Sequence, residues 1–159
     1  MNRDSVIAQL PSLLPSAVQW AAAEEQRILD QGVPLTPSEI EDAKAVGVHN
    51  PEAIRLLRVK KIPRPDQPAL RAACDAVDFL TGETRGLTLG HGIFVREDCW
   101  RERALVVHEL VHVAQYEHFD GIEPFLRQYL TECLTVGYPA APMEQEAITA
   151  TAKVLGPCS

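Results

Sequence analysis

The stretch Ala104–Gly121, ALVVHELVHVAQYEHFDG, decides how the chain is interpreted. Its apolar residues surround almost the whole circumference of a helix predicted over about residues 98–118, and a helix of that kind is buried. His108 and His112 are four residues apart, so both imidazoles lie on one face. Burying two histidines and Glu109 among apolar residues costs free energy unless they are paired or bind a metal. The stretch therefore predicts a metal site in the middle of the domain.

The order His-Glu-x-x-His is the pattern with which a helix binds zinc. His108 and His112 would supply two ligands, and Glu109, about 100° round the helix from His108, reaches the same space from the side. A carboxylate there suits a base that takes a proton from a zinc-bound water without ligating the metal. Zinc is thus the predicted cofactor and Glu109 the predicted catalytic residue. A metal-free histidine pair with satisfied hydrogen bonds is the alternative.

Two kinds of residue are candidates for the third ligand. His118 stands where the metzincin pattern HExxHxxGxxH has its third histidine, but that pattern needs a glycine where this chain has Gln115. In an unbroken helix His118 lies about 240° round from His112 and points away from it. The other candidates are Glu144 and Glu146, at the start of the last predicted helix, from which the chain has room to turn back.

The sequence HELVHVAQYE, followed by a helix and then GYPAAPMEQEA, resembles the zincin-type metallopeptidases of bacteria, in the gluzincin branch. The resemblance covers Leu87–Lys153 and is strong at the two motifs only. His108–His112 and Gln115 match the HELxHxxQ of those proteins, and Glu144 begins a match to the first part of their ExxAD motif. This alignment implies Glu144 as the third ligand, whereas a thermolysin-like alignment implies Glu146.

The resemblance implies a zinc-dependent hydrolase of peptide bonds whose substrate is a peptide or protein. An additional donor has to stabilise the oxyanion. The candidates are Tyr138, in the loop before the last helix, and His91, on a glycine-bearing strand of the kind along which zincins bind an extended substrate. For both residues a purely structural role is the alternative. Gln115 is a candidate for a hydrogen bond to a ligand or substrate.

A second function remains open on the same residues. Small zincin-like proteins can retain the metal site without useful catalysis, so the alternative is a zinc-stabilised binding or regulatory module. Both functions require the zinc ligands, and Glu109 is present in either case. A metal-free structural protein with a fortuitous spacing is the third possibility.

The predicted fold is α+β: a single, mainly helical, zincin-like domain over residues 1–159, with a small β-sheet whose edge strand lies beside the HExxH helix. Residues 1–68 form its N-terminal helical part and residues 69–159 the part with the metal site. Alternating apolar residues predict a strand over Gly86–Glu97. Thr36, Pro37 and Glu39 form a helix-start signal. Further helices are predicted over residues 16–29, 37–46, 52–57, 69–80, 124–136 and 143–155.

Composition restricts the class of partner. The chain is 46% hydrophobic and 23% charged, as in ordinary soluble globular proteins. A net charge of -7 argues against a nucleic-acid or anionic membrane partner, and no stretch approaches the roughly 20 apolar residues of a membrane span. The sequence does not indicate an oligomeric state.

Two further features favour a cytoplasmic location. The N-terminal residues MNRDSVIAQLPSLLPS lack the apolar run of a signal peptide. The four cysteines are not spaced as CxxC, which favours free thiols in a reducing compartment. Cys158, beside the C-terminus, could pair between chains.

Overall fold

The computed structural model describes residues 2–138 and 140–156. Their secondary structure confirms the α+β, mainly helical class. In chain order the elements are α1 (Arg3–Gln31), β1 (Val33–Pro34), α2 (Pro37–Ala45), β2 (Arg55–Val59), α3 (Pro68–Ala76), β3 (Gly86–Leu89), β4 (Gly92–Arg96), α4 (Arg103–Phe119), α5 (Ile122–Thr135) and α6 (Pro142–Leu155). Short 3-10 turns cover Pro51–Ala53 and Glu97–Cys99.

Helix α1 is much longer than the predicted helix over residues 16–29, although it contains two prolines of a kind that normally end a helix. Pro11 and Pro15 are four residues apart and both are exposed. The carbonyl groups that lose their helical partners therefore face water, which keeps the cost of the prolines low. The opposite face packs against α5 and α3, with Ala21 and Ile28 buried in the core.

Helix α2 begins where the sequence predicts. The Thr36 hydroxyl accepts a 3.2 Å hydrogen bond from the backbone N–H of Glu39, and the Glu39 carboxylate accepts one of 2.9 Å from the backbone N–H of Thr36. Pro37 occupies the first turn. This reciprocal capping box confirms the start signal.

The four strands form one mixed sheet in the order β1-β2-β4-β3. The helix predicted over residues 52–57 is wrong: after the 3-10 turn the chain forms β2, which pairs antiparallel with β1 and parallel with β4. The buried Leu56 lies opposite Val33 on one side and Ile93 on the other. Pairing on both sides thus overrides the local helix signal of Asn50-Pro51.

The single strand predicted over Gly86–Glu97 is also wrong, because this segment is the β3–β4 hairpin. Gly90 has a φ of 64°, which turns the chain at Gly90-His91. A Cβ atom at Gly90 would lie 1.9 Å from Oε2 of Glu25, so a side chain there would displace the carboxylate that accepts a hydrogen bond from the backbone N–H of His91. Strand β3 forms the edge of the sheet and packs against α4, as expected for the edge strand beside the HExxH helix.

Helix α4 lies in the core, between β3 and α6. Val107, Leu110 and Val113 have no exposed surface, which confirms the prediction of a buried helix. It begins at Arg103 rather than near residue 98, because the 3-10 turn and the left-handed Arg101, with a φ of 57°, precede it. It ends at Asp120, which has a φ of 59°.

Helix α3 is shorter than the predicted helix over residues 69–80 and gives way to a loop over residues 77–85. In that loop Asp78 and Leu80 have φ angles of 54° and 56°. The bounds of α5 and α6 lie close to the predicted ones. Among the residues described, none of the helices combines the length and the apolar character that crossing a bilayer requires.

The cysteines of the described segments are free, as predicted. Cys99 and Cys133 are buried and Cys74 is half-buried. Cys158, the candidate for pairing between chains, lies outside the described residues.

Candidate metal centre

Helices α4 and α6 bring three predicted ligands together. Nε2 of His108 lies 3.0 Å from Oε1 of Glu144, and Nε2 of His112 lies 2.9 Å from Oε2 of the same carboxylate. One nitrogen or oxygen atom from each residue lies within 4.8 Å of the others. Glu144 is 2% exposed, so its carboxylate depends on these partners.

Helix α5 fixes where α6 begins. The Glu132 carboxylate accepts a 2.8 Å hydrogen bond from the backbone N–H of Met143, in the first turn of α6, and so satisfies one of the donors that a helix start leaves unpaired. Glu132 in turn accepts a 2.7 Å hydrogen bond from the Gln128 side chain. The adjacent Glu144 is thereby directed at α4.

The other two candidate ligands are not in this cluster. Glu146 is exposed, and its carboxylate accepts a 3.1 Å hydrogen bond from the Gln115 amide. His118 is exposed in the last turn of α4, where its ring contacts that of Phe119. Of the open alternatives, the geometry therefore selects Glu144.

Gln115 sets the orientation of the His112 ring. Its Nε2 donates to the backbone carbonyl of Met143 and to Glu146, both at 3.1 Å, so its Oε1 is left to accept. That oxygen lies 2.8 Å from Nδ1 of His112, which must therefore be the protonated nitrogen. The neutral ring then presents the lone pair of Nε2 to the cluster, as a metal ligand requires.

The electrostatics of the cluster favour a positive charge between the histidines and the carboxylate. Burial lowers the pKa of His112, but the hydrogen bond to Glu144 and the charge of Glu109 outweigh burial and raise it to about 9. Burial raises the pKa of Glu144, but hydrogen bonds from His108 and His112 hold it well below its ordinary value. A proton on His112 provides that charge, and a bound cation would provide it equally.

The donor set fits a zinc ion. Zinc takes imidazole nitrogen and carboxylate oxygen, and around a tetrahedral ion such atoms lie roughly 3.4 Å apart. Nε2 of His108 lies 3.0 Å from one oxygen of Glu144 and Nε2 of His112 lies 2.9 Å from the other, and one donor atom of each residue lies within 4.8 Å of the others, so the three side chains are close enough to share one ion. Gln115 supplies the outer hydrogen bond that ligating histidines usually make.

Glu109 lies beside the cluster, on the side of β3, and is 5% exposed. The Thr88 hydroxyl lies 3.1 Å from the backbone carbonyl of Glu109 and 3.2 Å from its Oε1. A Cβ atom at Gly86 would come within 3.3 Å of the Glu109 side chain. Burial raises the pKa of Glu109 although the neighbouring His112 and His108 lower it. A carboxylate with a raised pKa suits proton transfer near neutral pH.

Tyr129, on α5, is a site residue that the sequence predicts only as part of an apolar face. Its hydroxyl donates a 2.8 Å hydrogen bond to Oε2 of Glu144. Its ring stacks on Phe125, with centroids 5.5 Å apart, and lies edge-on to His112 at 5.9 Å. The signal was available, because a buried tyrosine needs a partner for its hydroxyl.

The two predicted oxyanion donors lie in different places. Tyr138 lines the cavity at the cluster and is 55% exposed. Partial burial and the charge of Glu144 raise its pKa to about 12, so its hydroxyl is a donor at neutral pH. His91 lies in the hairpin turn, with Nε2 2.9 Å from Glu117 and its backbone N–H on Glu25. It is not among the described residues that line the cavity.

The cluster opens into a cavity of about 720 Å³. His108, Glu109 and Glu144 form part of its wall, and most of the remaining wall is apolar. No family model matches the sequence, and neither a curated protein nor a solved structure shows significant similarity to the chain. The functional conclusion therefore depends on the geometry of the site.

Proposed function

We propose that the protein is a zinc-dependent metallopeptidase of the gluzincin type. The observation that supports this most is the convergence of His108, His112 and Glu144 beside a buried Glu109. Two imidazoles and one carboxylate are the protein ligands of several catalytic zinc sites, which keep a fourth position open. A zinc ion held there would polarise the substrate carbonyl and lower the pKa of a water molecule to about 7.

Glu109 is the proposed base. It would accept a proton from the attacking water and pass it to the leaving amine, so its carboxylate must stay close to the cluster without joining it. The Thr88 hydroxyl, 3.2 Å from Oε1, holds it on that side. Tyr138 is the proposed oxyanion donor because its neutral hydroxyl lies on the cavity wall. Tyr129 and Gln115 would keep Glu144 and His112 in position.

The proposed substrate is a peptide or protein amide presented along β3. Gly86 and Thr88 of this edge strand line the cavity. The carbonyl of Thr88 already accepts a hydrogen bond from the Tyr116 hydroxyl, so an extended substrate would pair nearer Gly86. The acidic net charge of -7 supports a partner other than nucleic acid. The free cysteines support a cytoplasmic location.

Glu109→Gln tests the proposal. The variant should bind one zinc per chain, measured by elemental analysis, because Glu109 is not one of the three ligands. Its hydrolysis of a fluorogenic peptide library should fall by about 100-fold or more, the usual contribution of a general base. Unchanged turnover in a zinc-loaded Glu109→Gln protein would contradict the assigned role.

Two histidine variants provide the control for the metal. His112→Ala should lose zinc and activity together, because it removes a ligand. His118→Ala changes an exposed histidine on the same helix and should retain both. Loss of zinc in His118→Ala would instead favour the metzincin arrangement.

A zinc-stabilised binding or regulatory module is the second candidate. It is favoured by the burial of two of the three candidate ligands, since His112 and Glu144 are only 6% and 2% exposed, so that an ion there would contribute to the stability of the core. It predicts one bound zinc and a large loss of thermal stability on chelation. If the zinc-loaded protein cleaves no member of the peptide library, the binding or regulatory module is the better description.

A further inference from the structure

The cavity extends from the cluster to a distant apolar end. That end is formed by α1, α3 and the last turn of α5, with the side chains of Val6, Leu10, Leu13, Leu70, Ala73 and Leu134. The volume of about 720 Å³ falls within the range of about 300–1,000 Å³ typical of pockets for whole small molecules. The space therefore exceeds what a single amino-acid side chain of a substrate would fill.

Polar groups are distributed unevenly along the wall. His108, Glu109 and Glu144 lie at one end, and the loop over residues 77–85 contributes further polar side chains, among them Thr81 and Arg85. The six side chains of the distal end are all hydrocarbon and the backbone there is helical, although Cys74 of α3 and Asp78 just after it also line the cavity. An occupant with polar groups at both ends would leave one set unpaired.

This distribution discriminates between two kinds of occupant. A peptide that ran into the distal end would bury backbone N–H and C=O groups without partners, which is unfavourable. An aliphatic chain has no such groups and gains free energy from each methylene removed from water. The cavity thus suits a molecule with one polar, reactive end and one long apolar chain.

We propose that the cavity binds the acyl chain of an N-acyl amide and that such an amphiphilic amide is the substrate of the hydrolase proposed above, on which this inference depends. The amide carbonyl lies at His108 and Glu144, and the chain runs towards α1 and α3. Hydrolysis breaks the bond between acyl carbon and nitrogen and forms a bond from that carbon to the oxygen of water. Glu109 transfers one proton of the water to the nitrogen, so that a fatty acid and a free amine leave.

A chain-length series tests the proposal. N-acylglycines with acetyl, butanoyl, hexanoyl, octanoyl and decanoyl chains are titrated calorimetrically into zinc-loaded Glu109→Gln, which should bind without turnover. The dissociation constant should fall up to roughly fourfold with each added methylene until the cavity is full. In the wild-type protein, kcat/KM for release of glycine should rise in parallel. The same proteins are also given an N-acetyl peptide that contains phenylalanine. In this peptide the apolar group that could enter the cavity is an amino-acid side chain and not an acyl chain.

A substitution that fills part of the cavity tests the same proposal, with a matched control on the same helix. Ala17, on α1, is half-buried and lines the cavity. It packs against the core around Tyr129 and also against the apolar residues of the distal end. Ala17→Phe should abolish the gain beyond the hexanoyl chain while leaving zinc affinity unchanged. Ala23→Phe makes the same change at an exposed position of α1 and should behave as wild type. If Ala17→Phe does not fold, Ala73→Leu, which fills the distal end of the cavity, replaces it in the same test.

The outcomes separate the two proposals. Chain-length dependence of both binding and turnover, lost in Ala17→Phe, supports the inference. Affinity that does not depend on chain length, together with efficient cleavage of the phenylalanine peptide, overturns the inference and leaves the peptidase. Chain-length-dependent binding without turnover of any amide by the zinc-loaded protein overturns the proposed hydrolase and, with it, the assignment of the amide as substrate.

Discussion

The hydroxyl of Tyr129 donates a 2.8 Å hydrogen bond to Oε2 of Glu144, the oxygen that also lies 2.9 Å from Nε2 of His112. The third predicted ligand is thus held by a residue of α5, a helix that contributes no ligand itself. The same helix provides Glu132, which caps the start of α6 beside Glu144. Both contacts restrict the carboxylate to one orientation, so α5 fixes the geometry of the cluster.

Tyr129→Phe should weaken zinc binding about 10- to 100-fold, which is the usual effect of removing a hydrogen bond to a metal ligand. The ring and its stacking on Phe125 are retained, so the fold should persist. Calorimetric titration of zinc into metal-free protein measures the change. An affinity equal to that of the wild type would show that the hydroxyl does not orient Glu144.

Tyr116→Phe is the matched control for this change. Tyr116 stacks on the other face of the same aromatic cluster, with its ring 3.6 Å from Phe125. Its hydroxyl donates to the backbone carbonyl of Thr88 and not to a ligand. Tyr116→Phe should lower the free energy of unfolding by about 1 kcal/mol and leave zinc affinity within a few-fold of wild type.

Gly86→Ala should reduce turnover without affecting the metal. The new Cβ would lie 3.3 Å from Cγ and Cδ of Glu109 and from Leu105, so the carboxylate must move by a few tenths of an ångström. Misplacement of about 1 Å costs roughly 100-fold, so a loss of about tenfold in kcat is expected. Gly82→Ala, where the added atom meets open space, should retain full activity. Equal activities would show that Glu109 tolerates displacement.

Glu117→Gln should destabilise the fold without changing any of the proposed metal ligands. Its carboxylate accepts hydrogen bonds from the backbone N–H groups of His49, at 2.7 Å, and Asn50, at 3.1 Å, and lies 2.9 Å from the ring of His91. Losing the charge should lower the free energy of unfolding by about 1 kcal/mol. This corresponds to a melting temperature lower by about 2–4 °C. Glu97→Gln, at an exposed position of the chain, should change it by less than about 1 °C.

The same contacts predict a pH dependence. Burial raises the pKa of Glu117, but the hydrogen bonds from His49 and His91 outweigh burial and hold it below its ordinary value. A lowered folded-state pKa gives stabilisation that is complete above the unfolded value of about 4.3 and is lost as pH falls through the folded value. The difference in melting temperature between wild type and Glu117→Gln should therefore shrink from pH 6 towards acid. A constant difference would contradict the assignment.

Much of the site could be predicted from local spacing. His108 and His112 need only one helix to face the same way, and the start of α6 contains the two acidic candidates. The choice between Glu144 and Glu146 depends on how α6 packs against α4. No local sequence pattern predicts that packing. For Tyr129 the sequence indicates only that a buried hydroxyl needs a partner, and which residue is that partner depends on the contact between α5 and α6.

Two of the three errors in the fold have the same origin. Asn50-Pro51 resembles a helix start, but Leu56 is buried in a strand that pairs with β4, distant in sequence. In the sequence, the glycines of the hairpin are compatible with a single, weakly paired strand. The positive φ of Gly90 instead produces a turn. Helix α1 continues through Pro11 and Pro15 because its other face packs against α3 and α5. Long-range packing decided the cases of β2 and α1 against the local signal, whereas the hairpin depends on a local turn with a positive φ.

Calorimetric titration of zinc into metal-free wild type, Glu144→Gln and Glu146→Gln tests the central claim most directly. The wild type should bind one zinc per chain. Glu144→Gln should bind it more than about 100-fold more weakly, because a ligand is lost rather than an outer contact, and Glu146→Gln should stay within a few-fold of wild type. No zinc binding by the wild type, or equal affinities of the wild type and Glu144→Gln, would contradict the metal centre.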